Sequence, residues 1–337
     1  MKGNKYPLLV IFLIFFLWFI VFTFFPSKEL SSFSGSTMGT TYEVKISKNI
    51  PKSQIDKIKL NVDSILKAFN QNLSTYISDS EISLINKDEA VFKSFPISDD
   101  FKYVLDKSLH YHKLTKNTFD VTLKPLLEIW GFRGDLPNKI PTIEQINEVM
   151  QFVGSDKIRL NGNLLIKGHP KLQFDFGAIA KGYAVDKISN YLSSINYDKH
   201  YVEIGGEIRC VGKDWIIQVA HPEFMSNKGY KLIKLKNYSV ATSGTYNQFI
   251  EIEQNEFSHI FDPSLGRPST NNVLSVTVIS KNCIDSDALA TSLKVLGEKK
   301  GLELINSIDD TECMIITYEN GILKENKSSN FSNFIID

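Results

Sequence analysis

Cysteine is scarce in this chain of 337 residues: Cys210, Cys283 and Cys313 are the only three, widely spaced and odd in number. That pattern excludes a dense disulfide framework and matches no zinc-site spacing. Net charge is lacking too, since 38 basic residues balance 38 acidic ones. Without a basic field, nucleic acid is disfavoured as the main partner. The chain has no Walker phosphate loop, no Gly-x-Gly-x-x-Gly fingerprint, no nucleophile-plus-base motif of the hydrolase kind and no internal repeat. What the length does provide is a substantial core, in one large domain or two modest ones.

One long uncharged run is present. Residues 8–25 read LLVIFLIFFLWFIVFTFF, bounded by Pro7 and Pro26 and preceded by Lys2 and Lys5. At 1.5 Å per residue such a helix is about 27 Å long, close to the hydrocarbon thickness of a bilayer. The lysines ahead of it predict a cytoplasmic N-terminus (1–7), an anchor (8–25), a polar linker (26–34) and a domain on the far side of the membrane (35–337). Thr23, Phe24, Phe25 and Pro26 form no small-x-small cleavage site, so the expected anchor is uncleaved, and no nearby cysteine offers a lipid attachment.

Past the linker, residues 40–46 (TTYEVKI) alternate as a strand, and residues 51–69 place Ile55, Ile58, Val62, Ile65, Leu66 and Phe69 on one helical face. Residues 73–85 are turn-rich, with Ser80 and Glu81 opening a short helix. Further helices are expected over 101–114, 141–152 and 288–296. Asn161 and Gly162 predict a hairpin within 157–167. Strands are expected at 171–174, 201–204, 215–220, 231–235, 238–241, 249–252, 273–279 and 314–318. Helices and strands follow no strict βαβ rhythm, which predicts an α+β fold of mixed sheets with packed helices.

Five clusters combine glycine with oxygen or nitrogen ligands. Residues 174–186 (FDFGAIAKGYAVD) place Asp175, Gly177, Lys181 and Gly182 where a strand is expected to run into a helix, a natural place for an anion; the alternative is an ordinary helix start with an Asp cap and a surface lysine, and only the other clusters of the chain tell against it. Gly205 and Gly206, between Glu203 and Glu207, let a flat ligand press on the backbone or form a tight turn. Residues 242–246 (TSGTY) gather three aliphatic hydroxyls round Gly244, for phosphate or for a turn. His259, three residues before Asp262 in a proline-stiffened segment, is either a general base or a structural histidine. Asp287 and Thr291, four apart on one helical face, offer a carboxylate and a hydroxyl to a cation, with N-capping by Asp285 or Asp287 as the alternative. Hard oxygen ligands, few in number, suit Mg²⁺ bound together with a substrate's phosphates.

Taken in order, eight stretches resemble the ApbE family of FAD:protein FMN transferases: GSTMGTTYEV from Gly35, LSTYISDSEIS from Leu73, TFDVTLKPLLEIWGF from Thr118, FDFGAIAKGYAVD from Phe174, EIGGEIRCVG from Glu203, ATSGTY from Ala241, HIFDPSLGRP from His259 and SDALAT from Ser286. The resemblance implies transfer of the FMN half of FAD to a threonine or serine hydroxyl of a target protein, releasing AMP. It implies as partners FAD and an extracytoplasmic flavoprotein or a subunit of a membrane redox complex. It also implies FAD contacts at Met38, Tyr76, Thr118, Phe119, Asp120, Asp175, Lys181 and His259, to which the glycine clusters add Gly205, Gly206, Ser243 and Gly244. By the same resemblance Mg²⁺ is held by Asp287, Thr291 and the backbone of Ala178 and Ala290, and His259 is the base on the incoming hydroxyl. The family is usually exported on a lipid anchor, whereas here a hydrophobic segment replaces the lipoprotein cysteine, so a single-pass protein of the bacterial inner membrane with its catalytic domain outside is expected. The same motifs also fit an FAD pyrophosphatase yielding FMN and AMP, or a non-catalytic FAD-binding protein.

Overall fold

A computed structural model describes residues 30–222, 229–244 and 249–336. The expected anchor at 8–25 lies outside them, as do Thr245 and Tyr246; among the described residues no helix is long and apolar enough to cross a membrane. In chain order, β1 (Ser31–Thr37) and β2 (Thr40–Ile46) form a hairpin, followed by α1 (Lys52–Leu73), α2 (Glu81–Lys87), β3 (Ser94–Pro96), α3 (Asp99–Leu114), α4 (Lys124–Ile129) and α5 (Ile143–Met150). Next come β4 (Ile158–Asn161), β5 (Leu164–Lys167), α6 (Ala180–Ser194), β6 (His200–Ile204), β7 (Glu207–Val211), β8 (Trp215–Ala220), β9 (Gly229–Leu235) and β10 (Tyr238–Gly244). The remainder comprises β11 (Phe249–Ile252), β12 (Asn255–Ser258), β13 (Phe261–Asp262), β14 (Arg267–Pro268), β15 (Val273–Ser280), α7 (Cys283–Leu296), α8 (Glu298–Ile305), β16 (Glu312–Glu319), β17 (Ile322–Lys327) and β18 (Ile335–Ile336).

The α+β architecture is as expected. Its spine is an eight-stranded sheet in the order β1-β2-β6-β7-β10-β15-β16-β17, with each described pairing antiparallel. Both faces are covered, so residues 275–280 of β15 and 313–317 of β16 are buried without alternation. Along β16, Cys313 and Ile315 enter a large core shared with α1, α3, α6 and α7, while Met314 and Ile316 face a second core against β8 and β9. A third, smaller cluster joins Leu126, Leu127 and Trp130 to Val149, Phe152, Ile252 and Phe261. The three cysteines are all buried and free.

Two expectations fail for instructive reasons. The linker read over 26–34 ends earlier, because Ser31 already belongs to β1, paired with Ile46 of β2. Its sequence, SSFSGST, buries only Phe33, so it carries almost no apolar signal. Residues 171–174 form no strand. There the backbone is satisfied by a side chain instead: the Phe174 N–H donates to Asn86 Oδ1 at 2.7 Å, and Asn86 Nδ2 donates back to the Phe174 carbonyl at 2.8 Å. Accordingly α6 starts at Ala180, five positions after Asp175, and Asp175 is not its cap.

His200, at the start of β6, shows how a polar residue is tolerated in this core. Its Nδ1–H donates to the Tyr197 carbonyl at 2.6 Å and Nε2 accepts from Ser189 Oγ at 2.7 Å. Burial depresses its pKa below the ordinary 6.5, against the opposing effect of the Tyr197 hydrogen bond. The native state therefore holds the ring neutral while the unfolded chain protonates it more readily. Stability from this group is complete above the unfolded pKa and falls as pH drops below it, at up to about 1.4 kcal/mol per pH unit. Urea midpoints measured from pH 7.5 downward should fall less steeply in His200→Gln than in the native chain.

Candidate functional site

The FDF segment projects its middle residue into a cavity. Phe174 and Phe176 are buried and meet Phe101 edge-on, with ring centroids 5.7 and 5.1 Å away, so Asp175 between them points the other way. There it accepts from Arg133 Nε at 2.7 Å through Oδ2 and from the Gly177 N–H at 2.7 Å through Oδ1. Arg133 was not legible as a site residue in the sequence. It is the cation that fixes Asp175, and its guanidinium carbon lies 5.2 Å from the Tyr76 ring centre.

The cavity encloses about 430 Å³, within the usual range for small-molecule sites. Its walls come from the β1–β2 turn (Met38, Thr40), the loop after α3 (Thr118, Phe119, Asp120), the stretch after α4 (Arg133), the approach to and first turn of α6 (Asp175, Gly177, Ala178, Lys181), the β6–β7 turn (Gly205, Glu207), the end of β10 (Thr242, Ser243, Gly244), the segment around His259, and α7 (Asp287, Thr291). Met38 takes the left-handed conformation at φ 51°, which turns the hairpin over the cavity mouth.

Three of the expected residues stand apart from this wall. Tyr76 is largely exposed, stacked on Arg133 at the rim. Gly206 is exposed in the β6–β7 turn, and Ala290 faces the core beside Leu289 and Leu293. Asp120 lines the cavity, yet its carboxylate ties its own loop to the turn at Ser155. Oδ1 accepts from the Thr122 N–H, Thr122 Oγ1 and Ser155 Oγ, and Oδ2 accepts from the Ser155 N–H at 2.9 Å. Asp262, the acid expected near His259, has its Oδ1 occupied by the Ser264 N–H and hydroxyl.

The geometry of Asp287 depends on a reciprocal arrangement that no local motif announces. Neither α6 nor α7 has a side-chain cap from its own N-terminal residue. Instead, Asp186 on α6 accepts from the N–H groups of Cys283 and Ile284, both at 3.0 Å, at the start of α7. In return, Asp287 Oδ2 on α7 accepts from the Gly182 N–H at 2.8 Å in the first turn of α6. Each helix thus supplies an anion to the positive end of the other. Arg209 balances Asp186 at 2.5 Å. Asp285 is no cap either: it accepts from Lys107 Nζ at 2.7 Å and Tyr111 Oη at 2.8 Å.

Around this pair the charges are tightly packed. Lys181 Nζ lies 2.5 Å from Glu207 Oε1. Burial pushes the Glu207 carboxyl upward and Asp287 adds to the rise, while the Lys181 ammonium against Oε1 opposes both and holds the pair as an ion pair. Burial acts to lower the Lys181 pKa, and the carboxylates of Glu207 and Asp287 outweigh it, so the ammonium stays charged. Asp287 is raised by burial as well, with Lys181 holding it down. Among the described residues there is no cluster of three or more His, Cys, Asp and Glu arranged for a metal. Of the residues expected to hold a cation, Asp287 with its carboxylate, Thr291 with its hydroxyl and Ala178 line the cavity. Such a set suits a hard cation that takes its remaining ligands from phosphate or water, and it does not suit zinc.

These features have close counterparts. A model of the ApbE family matches residues 38–315, and the chain belongs to that family. It is 35% identical to the FAD:protein FMN transferase of Vibrio cholerae over 92% of this chain and 94% of the relative. It is 36% identical to the FAD:protein FMN transferase of Haemophilus influenzae, over 89% of this chain and 90% of the relative. Among solved structures, the flavin transferase ApbE from Vibrio cholerae superposes with a TM-score of 0.82, covering 91% of this chain and 99% of that one. The apo form of Pseudomonas stutzeri flavinyl transferase ApbE gives 0.80 at 30% identity, covering 90% and 96%.

Proposed function

We propose that this enzyme transfers the FMN half of FAD to a threonine or serine hydroxyl of a target protein, with AMP as the leaving group. The observation that carries the reading is the cavity itself, where Met38, Thr118, Asp175, Lys181, His259, Asp287 and Thr291 meet from five separate stretches of chain. Arg133-fixed Asp175 and the pocket floor orient the flavin half, and Lys181 provides positive charge beside the pyrophosphate. Asp287 and Thr291, with carbonyls from the Ala178 and Ala290 segments, would hold Mg²⁺, which when bound offsets the pyrophosphate charge. His259 takes the proton from the acceptor hydroxyl as that oxygen attacks phosphorus.

The acceptor in this reading is an extracytoplasmic redox-complex subunit or flavoprotein. Residues 8–25 anchor the enzyme in the inner membrane, with the catalytic domain on the outer side. The test uses the full chain in detergent with FAD, Mg²⁺ and an acceptor domain, separating nucleotides by chromatography. AMP should form in step with acceptor-bound flavin and stop in EDTA. AMP accompanied by an equal amount of free FMN would instead mark a pyrophosphatase, and unchanged FAD a binding protein.

A further inference from the structure

Glu207 sits directly after the β6–β7 turn, in which Gly205 and Gly206 both have positive φ, at 59° and 103°. It lines the cavity and is only 3% exposed. Oε1 meets Lys181 Nζ at 2.5 Å, while Oε2 is buried and has no hydrogen-bond partner among the described residues. A buried carboxylate oxygen left unpaired is costly. A cavity wall is where a ligand can supply what the protein does not.

Taking the cavity as the FAD site, we propose that Glu207 is a binding residue for the flavin half: Oε1 holds Lys181, and Oε2 accepts a hydrogen bond from a hydroxyl of the polyol chain. The chemistry of the pair selects that ligand. Lys181 presents a cationic donor and Glu207, beside it, an acceptor. A bare phosphate satisfies the first and is repelled by the second. A hydroxyl a few bonds from a phosphate satisfies both, which is the arrangement at the end of the flavin's polyol chain. The adenine amino group and the ring imide N–H are also donors but lie further from a phosphate, and the ribose hydroxyls of the AMP half, which lie nearly as close as those of the polyol, are told apart by the response of ADP.

Calorimetric binding of FAD, ADP and lumiflavin to the full chain separates these possibilities, because ADP lacks the flavin half and lumiflavin lacks the polyol. In Glu207→Ala, FAD affinity should fall on the order of tenfold or more, the loss expected for a hydrogen bond to a charged acceptor. ADP should bind within about twofold of its native affinity or more tightly, since Lys181 is released to its phosphates, and lumiflavin should be unchanged. Equal losses for FAD and ADP, a loss for lumiflavin, or an unchanged FAD affinity would each overturn the assignment. Should the alanine variant fail to fold, Glu207→Gln keeps an oxygen for Lys181. It should then weaken FAD alone by about threefold, and no weakening overturns the proposal. Failure of the native chain to bind FAD would be a different result, overturning the reading of the cavity itself.

Discussion

Flavin transfer by Asp287→Ala is expected to fall on the order of a hundredfold or more at saturating FAD and Mg²⁺, the scale seen when a preorganised electrostatic group is removed. The alanine variant also removes the acceptor of the Gly182 N–H, a first-turn donor with no acceptor in its own helix. A stability loss of about 1 kcal/mol should therefore accompany the loss of rate. Asp287→Asn separates the two roles, since its amide oxygen can still accept from Gly182 while the negative charge is gone. Its melting temperature should return close to the native value, and its transfer rate should stay as low as that of alanine. An asparagine variant with near-native turnover would show that the charge at this position does not serve the reaction.

Gly182→Ala should be nearly as damaging, although glycine to alanine normally favours a helix. A Cβ at this position would lie 2.4 Å from the Cys283 carbonyl oxygen, 2.7 Å from its carbon and 2.8 Å from Asp287 Cβ. Backbone cannot yield as a flexible side chain can, so α6 and α7 must separate. Overpacking of this kind costs about 1–3 kcal/mol. The separation also moves Asp287 relative to Lys181, and misplacement near 1 Å is enough for a rate loss on the order of a hundredfold. Urea unfolding and transfer rates on the same preparation check both. Native stability together with native rate in Gly182→Ala would mean that the close approach of the two helices is dispensable.

That helix contact explains much of what could and could not be read from the sequence. Periodicity located α1, α3 and α5 to within a few residues, and the Asn161–Gly162 pair located the β4–β5 hairpin, because these features are set by local spacing and turn chemistry. Asp287 and Thr291 were legible for the same reason, being four apart on one helix, and both reach the cavity. The reciprocal caps were not legible. Asp186 and Cys283 are separated by 97 positions and Gly182 and Asp287 by 105, and short acidic residues inside a helix carry no mark of a distant partner. Arg133 and Glu207 escaped for a similar reason: each gains its role only when the stretch after α4 and the β6–β7 turn are folded onto the α6 region. The strand read at 171–174 shows the opposite error, where Asn86 meets backbone groups that the apolar pattern assigned to a ladder.

The central claim is that a phosphorus–oxygen bond forms between FMN and a protein hydroxyl in this cavity. Intact and peptide mass spectrometry of an acceptor domain, after incubation with the full chain, FAD and Mg²⁺, tests it most directly. One added FMN mass on a single threonine or serine peptide is predicted, absent in EDTA, absent with Asp287→Asn, and absent when that acceptor residue is changed to valine or alanine. An acceptor that stays unmodified while FAD is consumed, or that is modified equally well by Asp287→Asn, would contradict it.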